Sequence, residues 1–148
     1  MSSAEQREAF EGALRDALND SCSMDVVQGV HEQLSAKIAE HKESKIPEPL
    51  TMTPKDVGAI LRDCRVPEER IADFQTECEK QFGVDAVLKP ANLIDTGRFV
   101  VKTEQATIAV DPTHSYQVES RIINGKPYIL IPVGEGVEIN GIAVKVQD

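Results

Sequence analysis

The chain has 148 residues, a formal net charge of −9, and few aromatic residues: four Phe, two Tyr and no Trp. Its 41% hydrophobic and 28% charged residues are close to globular averages, which excludes a disordered chain, a collagen and a coiled-coil fibre. The length suffices for one domain with a sizeable core. The acidic excess disfavours nucleic acid and anionic lipid as partners, because both carry negative phosphates.

The cysteines and the start of the chain indicate the compartment. Cys22, Cys64 and Cys78 are an odd number without close pairing, and residues 1–4 lead directly into charged residues instead of an apolar signal segment. No apolar run has the length that a membrane span requires. We therefore expect a cytoplasmic protein without a membrane partner.

Apolar residues at helical spacing predict two amphipathic helices in residues 1–46. Ser3 and Gln6 fit a capping box for the first helix, over residues 4–19, and the second fades near Glu43 with the stripe Val27, Val30, Leu34 and Ile38. Such a helical hairpin cannot bury both stripes alone, so they must face the rest of the chain, another copy or a missing partner. We expect a protein partner or self-association through Phe10, Leu14, Leu18, Val30 and Leu34.

Residues 47–52 contain two prolines and are predicted to be a linker to an α+β domain over residues 53–148. Thr53 is the expected N-cap of a third helix, with Pro54 at its first position. Pro67 opens a fourth helix that ends at Gly83. The apolar faces of this second helical hairpin are Val57, Ile60, Leu61 and Cys64 on the third helix, and Ile71, Phe74, Cys78 and Phe82 on the fourth.

From Phe99 the hydrophobic spacing becomes alternating, which is typical of strands. Two short strands are predicted at 99–103 and 106–110. Asn124-Gly125 and Asn140-Gly141 are the residues that a type I′ turn demands, and they predict hairpins 117–123/126–131 and 137–139/142–146. The expected fold class is therefore α+β: N-terminal helices in two helical hairpins, followed by a C-terminal antiparallel β-meander of short hairpins.

The Asn124-Gly125 turn also fixes a register. Pro127 falls opposite Ile122 in a non-hydrogen-bonded pair, so its missing N–H costs nothing within the hairpin and obstructs a further strand beside it. We expect one face to be core and the other to be exposed. The core face holds Val118, Ile122, Ile129 and Ile131, and the exposed face holds Glu119, Arg121, Tyr128 and Leu130.

No string of residues matches a catalytic, phosphate-binding or metal-binding motif, so no catalytic residue, metal or cofactor is predicted. The candidate binding residues are Arg121, Tyr128 and His114. Arg121 opposite Tyr128 fits either a recognition patch or a structural cation–π pair, and the structural pair is favoured. His114 follows Asp111-Pro112 and is interpreted as a solvated loop histidine.

The third and fourth helices could also be part of a winged-helix nucleic-acid binder, with Lys55, Arg62, Arg65 and Arg70 as phosphate contacts. The fourth helix carries the wrong charge for a major groove. Its acidic residues are Glu68, Glu69, Asp73, Glu77 and Glu79. Nucleic acid is therefore not the expected partner.

Several strings of the sequence carry a family resemblance: Glu5-Gln6-Arg7-Glu8-Ala9-Phe10, the runs at 26–34 and 40–42, Phe99-Val100-Val101-Lys102-Thr103, and the runs at 118–121, 123–126 and 136–141. They resemble an uncharacterised bacterial family, DUF4317. The resemblance covers nearly the whole chain and implies a bacterial cytoplasmic setting, with this chain corresponding to the C-terminal portion of longer proteins. It implies no activity, cofactor or site.

These observations favour a non-catalytic interaction or regulatory module of a longer bacterial protein. One alternative is a small enzyme whose site is assembled from scattered residues. The other is the winged-helix binder.

Overall fold

The computed structural model describes residues 1–147, and the chain divides into two compact units, Met1–Pro112 and Thr113–Asp148. The helices of the first unit are α1 (Ser3–Leu18), α2 (Met24–Ser44), α3 (Pro54–Asp63), α4 (Glu68–Phe82) and α5 (Pro90–Leu93), with a 3₁₀ turn at Asn19–Ser21. Its strands are β1 (Phe99–Lys102) and β2 (Thr107–Val110). After a 3₁₀ helix at Pro112–Gln117 come β3 (Glu119–Ile123), β4 (Lys126–Leu130), β5 (Val137–Ile139) and β6 (Ile142–Val144). The α+β class is confirmed.

The start of α1 differs from the sequence prediction by one residue. Ser2 is the N-cap, and its hydroxyl accepts a hydrogen bond from the amide of Glu5 at 3.1 Å. Gln6 donates its side-chain amide to the carbonyl of Met1. The capping box predicted for Ser3 and Gln6 is therefore wrong, because Ser2 supplies the same short acceptor one position earlier.

The four long helices share one core. Buried side chains from every one of them form a single cluster, whose largest fully buried members include Phe10, Leu18, Leu34, Leu61 and Phe74. Residues 47–52 therefore connect two parts of one unit in this structure. Met52, at the end of this connection, exchanges two backbone hydrogen bonds with Leu88 at 2.8 and 2.7 Å.

The apolar stripes of α1 and α2 are covered by the chain itself. Phe10, Leu18, Val30 and Leu34 are each at most 3% exposed, and Leu14 is half-buried against the same cluster. They belong to the same cluster as the apolar side chains of α3 and α4, and the partner surface predicted for them stays a prediction. The predicted stripe of α2 is also shifted: Val26 is buried, whereas Val27 is 44% exposed.

The second helical hairpin agrees with the sequence. Thr53 and Asp56 form a capping box at the start of α3, Pro54 is the first helical residue, and Gly83 ends α4 with a φ of 96° that favours glycine. The apolar side chains Val57, Ile60, Leu61, Ile71, Phe74 and Cys78 are all buried.

The strands pair as three hairpins, β1–β2, β3–β4 and β5–β6. The register of β3–β4 is confirmed residue by residue: Ile123 opposes Lys126, Ile122 opposes Pro127 and Arg121 opposes Tyr128. Asn124 and Gly125 have φ values of 52° and 80°, as a type I′ turn requires. Among the described residues the hairpins remain three separate two-stranded sheets, so the meander does not form one continuous sheet.

The burial predicted for the β3–β4 hairpin is wrong on the intended core face. Val118 is buried and Ile129 half-buried, but Ile122 is 76% and Ile131 41% exposed. The reason is that alternation specifies which side chains share a face and not what covers that face. Within residues 1–147 no further strand joins this two-stranded sheet.

Candidate functional site

The predicted binding residues occupy two places in the second unit. Arg121 and Tyr128 are cross-strand neighbours in β3 and β4, but the Arg121 guanidinium binds the Glu119 carboxylate at 2.6 Å. Tyr128 is 46% exposed. His114 lies in the 3₁₀ helix, where its ring is 6.3 Å from that of Tyr116. The structure therefore brings Arg121 and Tyr128 together and shows His114 beside a different aromatic ring.

The basic residues of the winged-helix alternative are partly engaged with acids. Arg62 donates two hydrogen bonds to the Glu68 carboxylate, and Arg70 forms an ion pair with Asp73 at 3.7 Å. The hydrogen bonds from Arg62 lower the pKa of Glu68, and those bonds also raise the pKa of Arg62. Both carboxylates belong to α4, whose solvent-facing side is acidic.

Exposed apolar side chains are concentrated in the second unit and define what we call the hairpin surface. Its members are between 39% and 76% exposed: Ile122, Ile123, Tyr128, Ile131, Val133, Ile139, Ile142, Val144 and Val146. This part of the sequence is also nearly neutral, since residues 113–148 contain four acids and three bases, a net of −1. The remaining −8 belongs to residues 1–112, with 21 acids and 13 bases. The hairpin surface is therefore apolar, and the segment that carries it has almost no net charge.

The two edges of the β3–β4 hairpin differ. In a two-residue hairpin the pair next to the turn exchanges both hydrogen bonds, so here the odd-numbered residues of β3 bond to β4. Ser120 and Ile122 then direct their amides and carbonyls away from β4. The corresponding outward residues of β4 are Pro127 and Ile129, and Pro127 has no N–H. A further strand can thus add beside β3 and is impeded beside β4.

The first unit contains a groove of about 430 Å³ between α1, α2 and residues 93–102. Its apolar lining includes Phe10, Leu14, Val27, Val30, Leu93, Ile94, Phe99 and Val100, and its polar lining is Arg7, His31, Arg98, Lys102, Glu11 and Asp95. Sequence reasoning missed this groove because its walls come from segments more than 60 residues apart, so no local spacing marks it.

Two polar side chains hold the wall of the groove in place. Arg7 donates from Nη2 to the Ile94 carbonyl at 3.1 Å, and His31 Nε2 hydrogen bonds with the Asp95 carbonyl at 3.0 Å. Since a carbonyl only accepts, His31 Nε2 carries its hydrogen and, in the neutral ring, Nδ1 is an acceptor. Arg7 Nε and His31 Nδ1 are both buried without a hydrogen-bond partner among the described residues. The His31 ring also packs edge-on against Phe99, with centroids 5.5 Å apart.

Residues 1–147 contain no group of three or more His, Cys, Asp or Glu side chains that could hold a metal ion. In the same part of the chain, no helix combines the length and the apolar character needed to cross a bilayer.

Burial raises the pKa of the thiols of Cys22, Cys64 and Cys78, and it raises that of Cys78 to about 12. The cysteines are free in this structure.

Comparison with protein families matches residues 1–142 to the family model described as domain of unknown function DUF4317. This chain belongs to the DUF4317 family. The DUF4317 match includes both the groove and the β3–β4 hairpin, and it extends through β5. No curated protein and no solved structure gives a significant match.

Proposed function

We propose that this DUF4317 chain is a non-catalytic interaction module that binds another protein chain through the hairpin surface. The observation that carries the proposal is the concentration of exposed aliphatic side chains in a nearly neutral segment. Apolar side chains exposed in such number on one segment favour an interaction site over a purely solvated surface. The compartment that fits this role is the bacterial cytoplasm, where thiols such as Cys22 and Cys64 stay reduced.

The energetics of the hairpins support the same proposal. A two-stranded hairpin is marginally stable in water, and three strands or a covering layer are needed for independent stability. Burying a fully exposed Ile or Val side chain contributes roughly 1.5 to 3 kcal/mol. A partner that covers only part of the hairpin surface would therefore stabilise both the complex and the hairpins.

The two other functions have less support. An enzyme would require a convergent set of nucleophile, base and oxyanion donors, and the groove lining contains no Ser or Cys among the residues that the structure describes. A nucleic-acid binder would require a basic face, whereas Arg62 and Arg70 are paired with α4 carboxylates. Protein binding needs neither feature.

Site-specific photo-crosslinking tests the proposal. A photoreactive phenylalanine analogue at position 142, where Ile142 is 66% exposed, should give an adduct of one discrete mass in cells. The same analogue at position 8, an exposed site on α1, is the matched control and should give none. Ile139→Thr should reduce the adduct several-fold without changing the unfolding curve of residues 1–112. Equal adducts from positions 8 and 142 would overturn the proposal.

The groove favours a second, separate candidate function, which is binding of a small amphiphile with one carboxylate. Its apolar walls suit an alkyl body, and Arg7, Arg98 and Lys102 outnumber Glu11 and Asp95 among the charged lining residues. Octanoate is a suitable probe. It should shift the imidazole NMR signals of His31, and Arg98→Gln should weaken its binding severalfold while octanol binding stays the same. Octanoate binding that is unaffected by Arg98→Gln would contradict this candidate.

A further inference from the structure

We propose that the partner of the hairpin surface is a second copy of this chain, paired antiparallel along β3 with a twofold axis at Ser120. This inference rests on the proposed function and names its occupant. In the resulting sheet the strand order is β4–β3–β3–β4, with the two inner strands from different copies. Such a contact is isologous, as in most homodimers.

The choice of edge follows from the hydrogen-bond pattern. Beside β3, Ser120 and Ile122 present outward amides and carbonyls, and β3 pairs only with β4 among the described residues. Beside β4, Pro127 removes one donor from the row. Within the two strands, β3 therefore keeps both of its outward donors, whereas β4 lacks one.

The choice of register follows from charge. A twofold axis at Ser120 places Glu119 of one copy opposite Arg121 of the other, and does so twice. An axis at Ile122 would instead oppose Glu119 with Gly125, and an axis at Val118 would oppose it with Gln117. Opposite charges that face each other across strands contribute roughly 0.2 to 1 kcal/mol each. Since Glu119 and Arg121 already share one face of β3 and bind each other at 2.6 Å, the new pairs form a four-charge network.

The apolar residues fit the same register. Ser120 opposes Ser120 of the second copy in a pair that exchanges two hydrogen bonds, and Ile122 opposes Val118. The amide of Val118 already donates to the Ser115 carbonyl, so the new hydrogen bonds on which the contact depends are those of the Ser120 pair. The dimer converts two two-stranded hairpins into one four-stranded sheet, which exceeds the three strands that independent stability requires.

Charge reversal gives a direct test by sedimentation equilibrium of the full chain. The unmodified chain should dimerise reversibly with concentration. Glu119→Arg places arginines opposite each other, and Arg121→Glu does the same with glutamates, so each variant alone should dimerise about tenfold more weakly or worse. An equimolar mixture of the two variants should recover dimers, because every cross-strand pair is then of opposite sign.

Two further variants keep the test decisive. The double change Glu119→Arg with Arg121→Glu should dimerise like the unmodified chain, which shows that the single variants did not fail by misfolding. Ser120→Pro should abolish dimers while leaving the hairpin bonds to β4 intact. A chain that is monomeric at all concentrations, or single variants that dimerise normally, would overturn self-pairing. An adduct to a different protein at position 142 would also overturn it while leaving the proposed function in place.

Discussion

The ring of Phe10 in α1 meets the ring of Phe74 in α4 edge-on, with centroids 6.1 Å apart and planes at 85°. Both side chains are at most 1% exposed. The contact joins the first pair of helices to the second, across the connection at residues 47–52. Residues 1–112 should therefore unfold as one cooperative unit.

A double-mutant cycle measures this contact. Phe10→Leu and Phe74→Leu should each lower the free energy of unfolding by about 1 to 2 kcal/mol, because each loses ring area in a packed core. The double variant should lose about 0.5 to 1.5 kcal/mol less than the sum, since the edge-on pair is lost only once. Urea unfolding followed by circular dichroism supplies the values. Strict additivity would show that the two rings do not interact.

Gly29 marks a close approach between α2 and the end of α3. A Cβ at this position would lie 2.7 Å from the Cys64 sulfur and 4.0 Å from its Cβ. Gly29→Ala should therefore lower stability by about 1 kcal/mol, because overpacking outweighs the better helix propensity of alanine. In a Cys64→Ala background the same change should be neutral or stabilising, since only the ordinary contact remains. Thermal unfolding of the four proteins tests this, and equal effects of Gly29→Ala in both backgrounds would refute it.

Cys78 should make stability fall at alkaline pH. Burial, and to a lesser degree the charge of Glu77, raises the pKa of its thiol from 9.0 to about 12. Below pH 9 the thiol is protonated in both the folded and the unfolded chain, so the buried thiol makes its full contribution to the free energy of unfolding. Between the two pKa values only the unfolded chain loses the proton, so the free energy of unfolding falls by up to about 1.4 kcal/mol per pH unit.

The control for this prediction is Cys78→Ala. Its free energy of unfolding should start lower, because a buried side chain is truncated, and should then decline less steeply than that of the unmodified chain between about pH 9 and about pH 10. Urea titrations at these pH values provide the comparison. Parallel declines for the two proteins would show that Cys78 is not responsible.

The sequence predicts local structure in this chain well because the signals are local. Thr53, Pro54 and Gly83 fix the ends of α3 and α4, and Asn124-Gly125 sets the complete register of β3–β4. The burial of a side chain, in contrast, depends on residues that are distant in the sequence. Nothing near Ile122 in the sequence indicates whether another layer lies over it, and nothing near Phe10 indicates that Phe74 will cover it.

The same distinction explains the candidate sites. The sequence predicts Arg121 and Tyr128 as neighbours because the turn places them opposite each other. It does not predict the groove, since His31 meets the Asp95 carbonyl and Arg7 meets the Ile94 carbonyl only after α1, α2 and α5 have packed. Long-range contacts of this kind carry no spacing signal in a single sequence.

Residue-resolved amide exchange of β3, measured at low and high protein concentration, tests the central claim most directly. In the dilute chain the amides of Ser120 and Ile122 should exchange rapidly, while those of Arg121 and Ile123, which bond to β4, exchange more slowly. At high concentration Ser120 should become protected, whereas Ile129 on the opposite edge should not change. Exchange at Ser120 that is equally fast at every concentration would contradict the account.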